Sequence, residues 1–264
     1  MKASSMSRSR YLFAALILIL AGGALVNGGA ALAKAHAQSH PDLSGVWTVF
    51  YHDRPGGRFG APAEPDLSRQ GRKIVDDFAA THDLTKYEPG AYCVPGGMPT
   101  VMFGLGGYPI EIIQQPKRIT ILAEIDMQLR RIYMDGRGHP KGFPHTRGGH
   151  SIAHWEGKTL VVDTALIKAW PTERWPHSDK THVVEHISLK KTDALKDVKL
   201  RRGLTRKDLG DEVMEDVVTV TDPVMYKGPQ TVKVYFRRLP DKEFLEYDCA
   251  EGNWWSLIEA TAKK

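Results

Sequence analysis

Two stretches gather ionisable side chains at spacings that could do chemistry. They are GHSIAHWEGKTLVVDT, from Gly149 to Thr164, and HSDKTHVVEH, from His177 to His186. Seven of the eleven histidines lie between His139 and His186. Imidazole changes charge near neutral pH, so such clustering suits proton transfer or metal binding. Metal is the weaker reading. His150 and His154 are four apart, and along a strand that spacing spans about 13 Å. His182 and His186 fail in the same way. His177, Asp179 and His182 are better placed, because Pro176 and Ser178 suggest a turn, yet zinc would need a further ligand. Neither HExxH nor Cys-x-x-Cys occurs. No metal and no other cofactor is expected.

Acid–base catalysis asks for fewer matched ligands. On Thr181–Lys191, period-two alternation puts Val183, Glu185, Ile187 and Leu189 on one face and His182, Val184, His186 and Ser188 on the other. The first face is the more apolar, so Glu185 is expected to point inward. Desolvation raises the pKa of a carboxylate in apolar surroundings and poises it for general acid or base duty. The competing reading is a structural ion pair with Arg131 or Arg137. Asp163, after Leu160-Val161-Val162, faces solvent, an arginine or a cavity. Arg131, Tyr133 and Asp135 share one strand face, where the Tyr133 hydroxyl could donate to a ligand oxygen. Trp170-Pro171 and Trp175-Pro176 sit in the loop before His177, as a ligand lid or a packing plug. Ser151 lies in no G-x-S-x-G elbow. Gly104-Leu105-Gly106-Gly107 leads into a strand rather than a helix, so it is no phosphate loop.

These side chains need a scaffold. Gly45-x-Trp47 opens a first strand in the manner of a lipocalin-type barrel. Asp66 or Ser68 caps a helix running to about Ala80, with Leu67, Ile74, Val75 and Phe78 on one face. Residues 88–109 form a long Gly/Pro loop. Strands follow at Ile110–Gln115, Arg118–Ile125, Leu129–Met134, His150–Glu156, Thr159–Leu166, Thr181–Lys191, Val198–Thr205, Glu212–Thr221, Thr231–Arg238 and Phe244–Cys249. Short turns between them require antiparallel pairing. Closure into a barrel removes the two exposed edges of so many strands; a β-sandwich is the second choice.

The 264-residue chain carries a net charge of +5. Lys2, Arg8 and Arg10 precede an apolar run, Leu12 to Val26, and small residues then offer A-x-A sites, the preferred cut falling after Ala37. This pattern reads as a signal peptide over residues 1–37. Its loss removes four basic residues and no acid, so the remainder sits near neutrality. A near-neutral chain lacks the basic stripe that nucleic acid requires. No membrane contact is expected after cleavage, and the location is periplasmic or secreted. In such a compartment the two cysteines, Cys93 and Cys249, are expected to pair, with separate buried thiols as the alternative.

Several stretches carry a resemblance: DLSGVWT (42–48), PGGMP (95–99), YPIEIIQ (108–114), RRIYMDGRGHP (130–140), GHSIAHWEGKTLVVDT (149–164), HSDKTHVVE (177–185) and LEYDC (245–249). On these the chain resembles a group of uncharacterised exported proteins of proteobacteria. The resemblance implies an architecture and a compartment, and no reaction. It places His150, Asp163, His177, Asp179, His182 and Glu185 in signature motifs, and His154 and His186 at variable positions.

The expected protein is all-β: one antiparallel, lipocalin-like barrel over residues 38–264, with one N-terminal helix and the long Gly/Pro loop packed on it. The barrel is expected to enclose a pocket for a small, partly apolar molecule. His150, His177, Asp179, His182 and Glu185 are the expected catalytic set, meeting at one end of the barrel. Arg131, Tyr133, Asp163, Trp170 and Trp175 are the expected ligand contacts. A cofactor-free elimination, isomerisation or hydrolysis competes with non-catalytic binding of a small ligand, and metal-dependent hydrolysis is the weakest reading.

Overall fold

A computed structural model describes residues 40–56, 62–83, 93–104, 107–172, 174–200 and 203–247. The expected signal segment and Cys249 lie outside the described residues. Pro41–Lys264 forms one compact unit. Among the described residues no helix is long and apolar enough to cross a membrane.

Among the described residues, nine strands close into a barrel in sequence order. They are β1 (Gly45–His52), β2 (Ile110–Gln115), β3 (Arg118–Ala123), β4 (Gln128–Tyr133), β5 (His150–Glu156), β6 (Thr159–Ala165), β7 (His182–Lys191), β8 (Glu212–Thr221) and β9 (Gln230–Arg238). β1 pairs with β9, from Trp47 opposite Arg238 to His52 opposite Val234, and this last pairing removes both edges.

One pairing departs from the antiparallel expectation. β4 and β5 run parallel and share only Ile132 opposite Ser151 and Tyr133 opposite Ile152. Parallel neighbours need a long crossover, and residues 134–149, broken by Gly136, Gly138, Pro140, Gly142, Pro144, Gly148 and Gly149, supply it. With so short a ladder, the two strands separate on either side of the contact.

Two expected strands are not found among the described residues. The described parts of 198–205 and of 244–249 are not strand. Barrel closure leaves no edge for Phe244 and its neighbours to join. Val198, Leu200 and Leu204 instead pack with Leu195 and Leu209 against Phe50, Val213 and Tyr235. Their β-favouring composition serves a satellite cluster over the outer faces of β1, β8 and β9.

The helix, α1 (Arg69–Thr81), starts as expected at Ser68, whose Oγ accepts from the Gly71 amide at 2.8 Å. The Ser68 amide donates to Met225 O at 2.8 Å and its hydroxyl to Val224 O at 2.7 Å, so the cap also docks the helix on the β8–β9 connection. Gly71 permits the approach: a Cβ there would stand 2.2 Å from Met225 O.

Alternating inward side chains build the main core, which continues into Met98, Met102 and Phe103 from the Gly/Pro loop and Trp175 from the β6–β7 connection. Barrels of this size are just wide enough for side chains to fill. Trp47, Phe236 and the isoleucines Ile110, Ile112, Ile119, Ile121 and Ile132 do so here. The expected enclosed hollow is therefore packed.

Candidate functional site

The polar residues divide between two sides of the barrel wall. On β7 the alternation runs as expected: Val183, Glu185 and Ile187 are buried, while His182 and Val184 are half-buried and His186 is exposed. Glu185 is fully buried, and its partner is Arg130 rather than Arg131 or Arg137. The reason is register. Gln128, Arg130 and Ile132 take the inward face of β4, so Leu129, Arg131 and Tyr133 face out. Arg137 is occupied by Asp135, to which its Nε donates at 2.8 Å.

Around the inner pair, Arg130 Nε donates to Ser151 Oγ at 3.2 Å and Nη2 to Thr164 Oγ1 at 2.9 Å. Asp216, inward on β8, completes the cluster. No protein donor among the described residues reaches its carboxyl oxygens. Burial first, and then the charge of Glu185, push its pKa well above the usual carboxylate range despite Arg130. Burial and the neighbouring Glu185 thus favour the neutral, protonated form of Asp216.

On the outer wall a second group forms around Asp163. Asp163 is outward on β6, His150 on β5 and His182 on β7, and the antiparallel registers set them diagonally. Asp163 Oδ1 lies 2.6 Å from His182 Nε2 and 3.1 Å from His139 Nε2. His139 Nδ1 is 2.9 Å from His150 Nδ1. His150 stacks on Tyr133, centroids 5.2 Å apart and planes inclined 22°, and meets the Phe143 ring edge-on at 6.2 Å. The Arg137 guanidinium covers Tyr133 at 4.0 Å.

The electrostatics give the order of protons. Hydrogen bonds from His182, outweighing partial burial, and from His139 hold Asp163 below the usual carboxylate range. Asp163 is therefore an acceptor, and both Nε2 atoms donate to it. The Asp163 hydrogen bond raises His182 above its ordinary value. Desolvation, with the neighbouring His139 and Arg137, lowers His150. In the tautomer in which His139 donates Nε2–H to Asp163, its Nδ1 accepts from His150 Nδ1–H and His150 Nε2 carries the lone pair. Carboxylate–imidazole–base order of this kind fixes a tautomer in hydrolytic triads.

His150 also lines a cleft of ≈ 400 Å³ on the outer wall, where β4 and β5 separate. Leu129, Arg131 and Tyr133 of β4 form one side, and Phe143 and Arg147 of the crossover the other. Gly149 sets the entry of the chain into β5. Its φ is +66°, and a Cβ would lie 2.7 Å from Ala165 O.

The remaining expected site residues lie elsewhere. His177 is buried, with Nδ1 2.7 Å from Trp175 O and Nε2 3.1 Å from Lys168 O. Burial keeps it below its ordinary pKa in spite of those carbonyls. It closes the loop through main-chain bonds with Trp170. Asp179 is exposed beside Lys180. Trp175 packs on Phe103 at 4.9 Å as a plug. Trp170 lies under the Arg147 guanidinium, 3.9 Å away. The expected catalytic five therefore do not converge. His150 and His182 belong to one network, Glu185 lies on the other side of the wall, and His177 and Asp179 are part of neither.

Three residues of these networks, Arg130, His139 and Asp216, were not singled out by the sequence reading, nor was Asp222, which lies in neither network. Burial would raise Asp222, but hydrogen bonds from Thr181, Ser178 and Met225 win and hold it low. It accepts the Ser178 amide at 2.7 Å and the Met225 amide at 2.9 Å, tying the start of β7 to the β8–β9 connection. Period-two alternation on β4 and β8 offered only a weak signal for Arg130 and Asp216. His139, in a crossover loop, had none.

Compared with known protein families and with curated proteins, the chain matches no family model and no curated sequence. Function is therefore argued from the site.

Proposed function

We propose that this protein is an exported, cofactor-free acid–base enzyme for a small, partly apolar molecule, working in the outer cleft with His150 as general base. One observation carries the reading: the Asp163–His139–His150 chain ends in a cleft. His150 Nε2 takes a proton from the substrate. The Nδ1 proton of His150 then passes to His139 Nδ1, and the charge comes to rest against Asp163. Lowered basicity keeps His150 unprotonated at neutral pH, which suits a base. Tyr133 holds the ring by stacking and stands ready to donate to a substrate oxygen. Elimination and isomerisation both begin with such a proton abstraction. The proposed compartment is the periplasm or the exterior, with a disulfide between Cys93 and Cys249; nucleic acid and membrane are not partners of this reading.

The test is proton NMR in D₂O on a panel of small carbon acids and β-hydroxy compounds. Wild-type protein exchanges or converts a panel member, and H150Q melts normally but does so about 10²–10⁴-fold more slowly. Binding in the cleft with no exchange or conversion anywhere in the panel would make the protein a non-catalytic carrier instead.

A further inference from the structure

The cleft has a sign. Its charged lining residues are Arg130, Arg131 and Arg147, and among the described residues no carboxylate lines it. Arg130 spends its charge inward on Glu185. Arg147 lies over Trp170 and faces the cleft with the rest of its crossover. Arg131 is different. It is exposed on the outer face of β4 and has no hydrogen-bond or ion-pair partner among the described residues, whereas Arg54, Arg137 and Arg238 are engaged. A guanidinium presents a planar fork suited to an oxyanion.

The cleft is also greasy. Six large apolar residues are exposed among the described residues, and three of them, Met127, Leu129 and Phe143, line this cleft. Clustering of that kind marks a binding surface, whereas scattered ones need no account. Along β4 the order is Leu129, Arg131, Tyr133, each step about 7 Å. The cleft thus offers an apolar shelf, then a cation, then the aromatic ring that carries His150.

We infer that the ligand of this cleft is an amphipathic anion: an aromatic or branched apolar body bearing a carboxylate, with the carboxylate seated on Arg131. The apolar body lies over Met127, Leu129 and Phe143, and the atoms next to the carboxylate fall toward Tyr133 and His150. The inference rests on the cleft of the proposed function and names its substrate class, but its test needs no turnover.

The probe is 2-naphthoate, compared with 2-naphthalenemethanol as the neutral analogue and 2-naphthylmethylammonium as the cation, each titrated calorimetrically. The naphthoate should bind about tenfold more tightly than the alcohol, the advantage shrinking as salt rises. R131Q should bring the naphthoate to the level of the alcohol and leave the alcohol unchanged; R131K should fall between. Arg131 holds no partner among the described residues, so both variants should melt as wild type. Equal affinity for the three probes, preference for the cation, an R131Q variant that binds naphthoate normally, or no binding at millimolar concentration would each overturn the inference. Because binding is read at equilibrium, a failure of the turnover test leaves a positive result here intact. A failure here leaves the acid–base reading of His150 standing with a different substrate class.

Discussion

Arg130 and Glu185 meet inside the barrel wall, Nη1 donating to Oε1 at 2.8 Å and Nη2 to Oε2. Their side chains are 2% and 0% exposed. At that depth each charge is tolerated only because of the other. Ser151 and Thr164 take further guanidinium donors, so the pair joins β4, β5, β6 and β7 at one point. The β4–β5 ladder is the shortest in the barrel, and this inner pair stands beside it.

Removing one partner should therefore be far worse than removing both. R130M or E185Q alone should lose about 3–5 kcal/mol, as is typical when a buried charge is left alone. The double variant R130M/E185L should recover most of that loss. Urea unfolding of the three variants is the check. Single losses that simply add in the double would show that the two residues act independently.

Asp216 makes the same cluster sensitive to pH. Its folded-state pKa is raised well above the ordinary 3.8 by burial and by Glu185. The folded protein therefore keeps a proton that the unfolded chain gives up. Stability from this group is complete below about pH 4 and is lost as pH rises toward the folded pKa. D216N keeps a neutral side chain of the same shape at every pH. Its melting temperature should exceed that of wild type at the alkaline end, and the decline with rising pH should flatten. An unchanged decline in D216N would mean that Asp216 is ionised in the fold.

The inner cluster was partly legible in the sequence. Alternation on Thr181–Lys191 was enough to turn Glu185 inward, because Val183 and Ile187 flank it. The same rule on β4 is weak, since Arg130 and Arg131 are adjacent and only the neighbours Gln128 and Ile132 decide which faces in. On β8, Val213 and Met214 are both buried, one under the satellite cluster and one inside, so Asp216 reads ambiguously. The outer site was less legible. Asp163 and His182 are neighbours only through the β6–β7 register, and His139 arrives from a loop whose path no periodicity encodes. The parallel β4–β5 contact, which opens the cleft, depends on that same loop.

Gly149 links this architecture to the site. A side chain there would have to adopt φ +66° and crowd Ala165 O and Ile167. G149A should lose at least about 1–2 kcal/mol from the left-handed backbone alone. The clash would also displace His150, the next residue. Any turnover assigned to His150 should fall in G149A even at temperatures where the variant is fully folded. G157A is the control: Gly157 also has positive φ, but its Cβ would meet nothing within 4 Å. It should share the backbone penalty and spare the site. Equal effects on turnover would remove the special place given to Gly149.

The outer network predicts a divided histidine titration. His182 is raised by Asp163, and His150 is lowered by burial and by its neighbours His139 and Arg137. In a two-dimensional imidazole NMR titration His182 should therefore titrate above 6.5, and His150 below it. D163N removes the acceptor that raises His182, so its titration should fall back toward the ordinary value. The signs for stability oppose one another. The contribution of His182 is complete below its unfolded value and disappears as pH rises through the folded one. The contribution of Asp163 is present above about pH 4 and disappears as pH falls through its lowered pKa. Both side chains are some 40% exposed, at 40% and 41%, so solvent screens the pair and the titration is a better measure than unfolding. For the reaction, an unprotonated His150 means that activity rises with pH through the lowered pKa and is already level near neutrality. A rate that continued to climb through pH 8 would assign the base to another group.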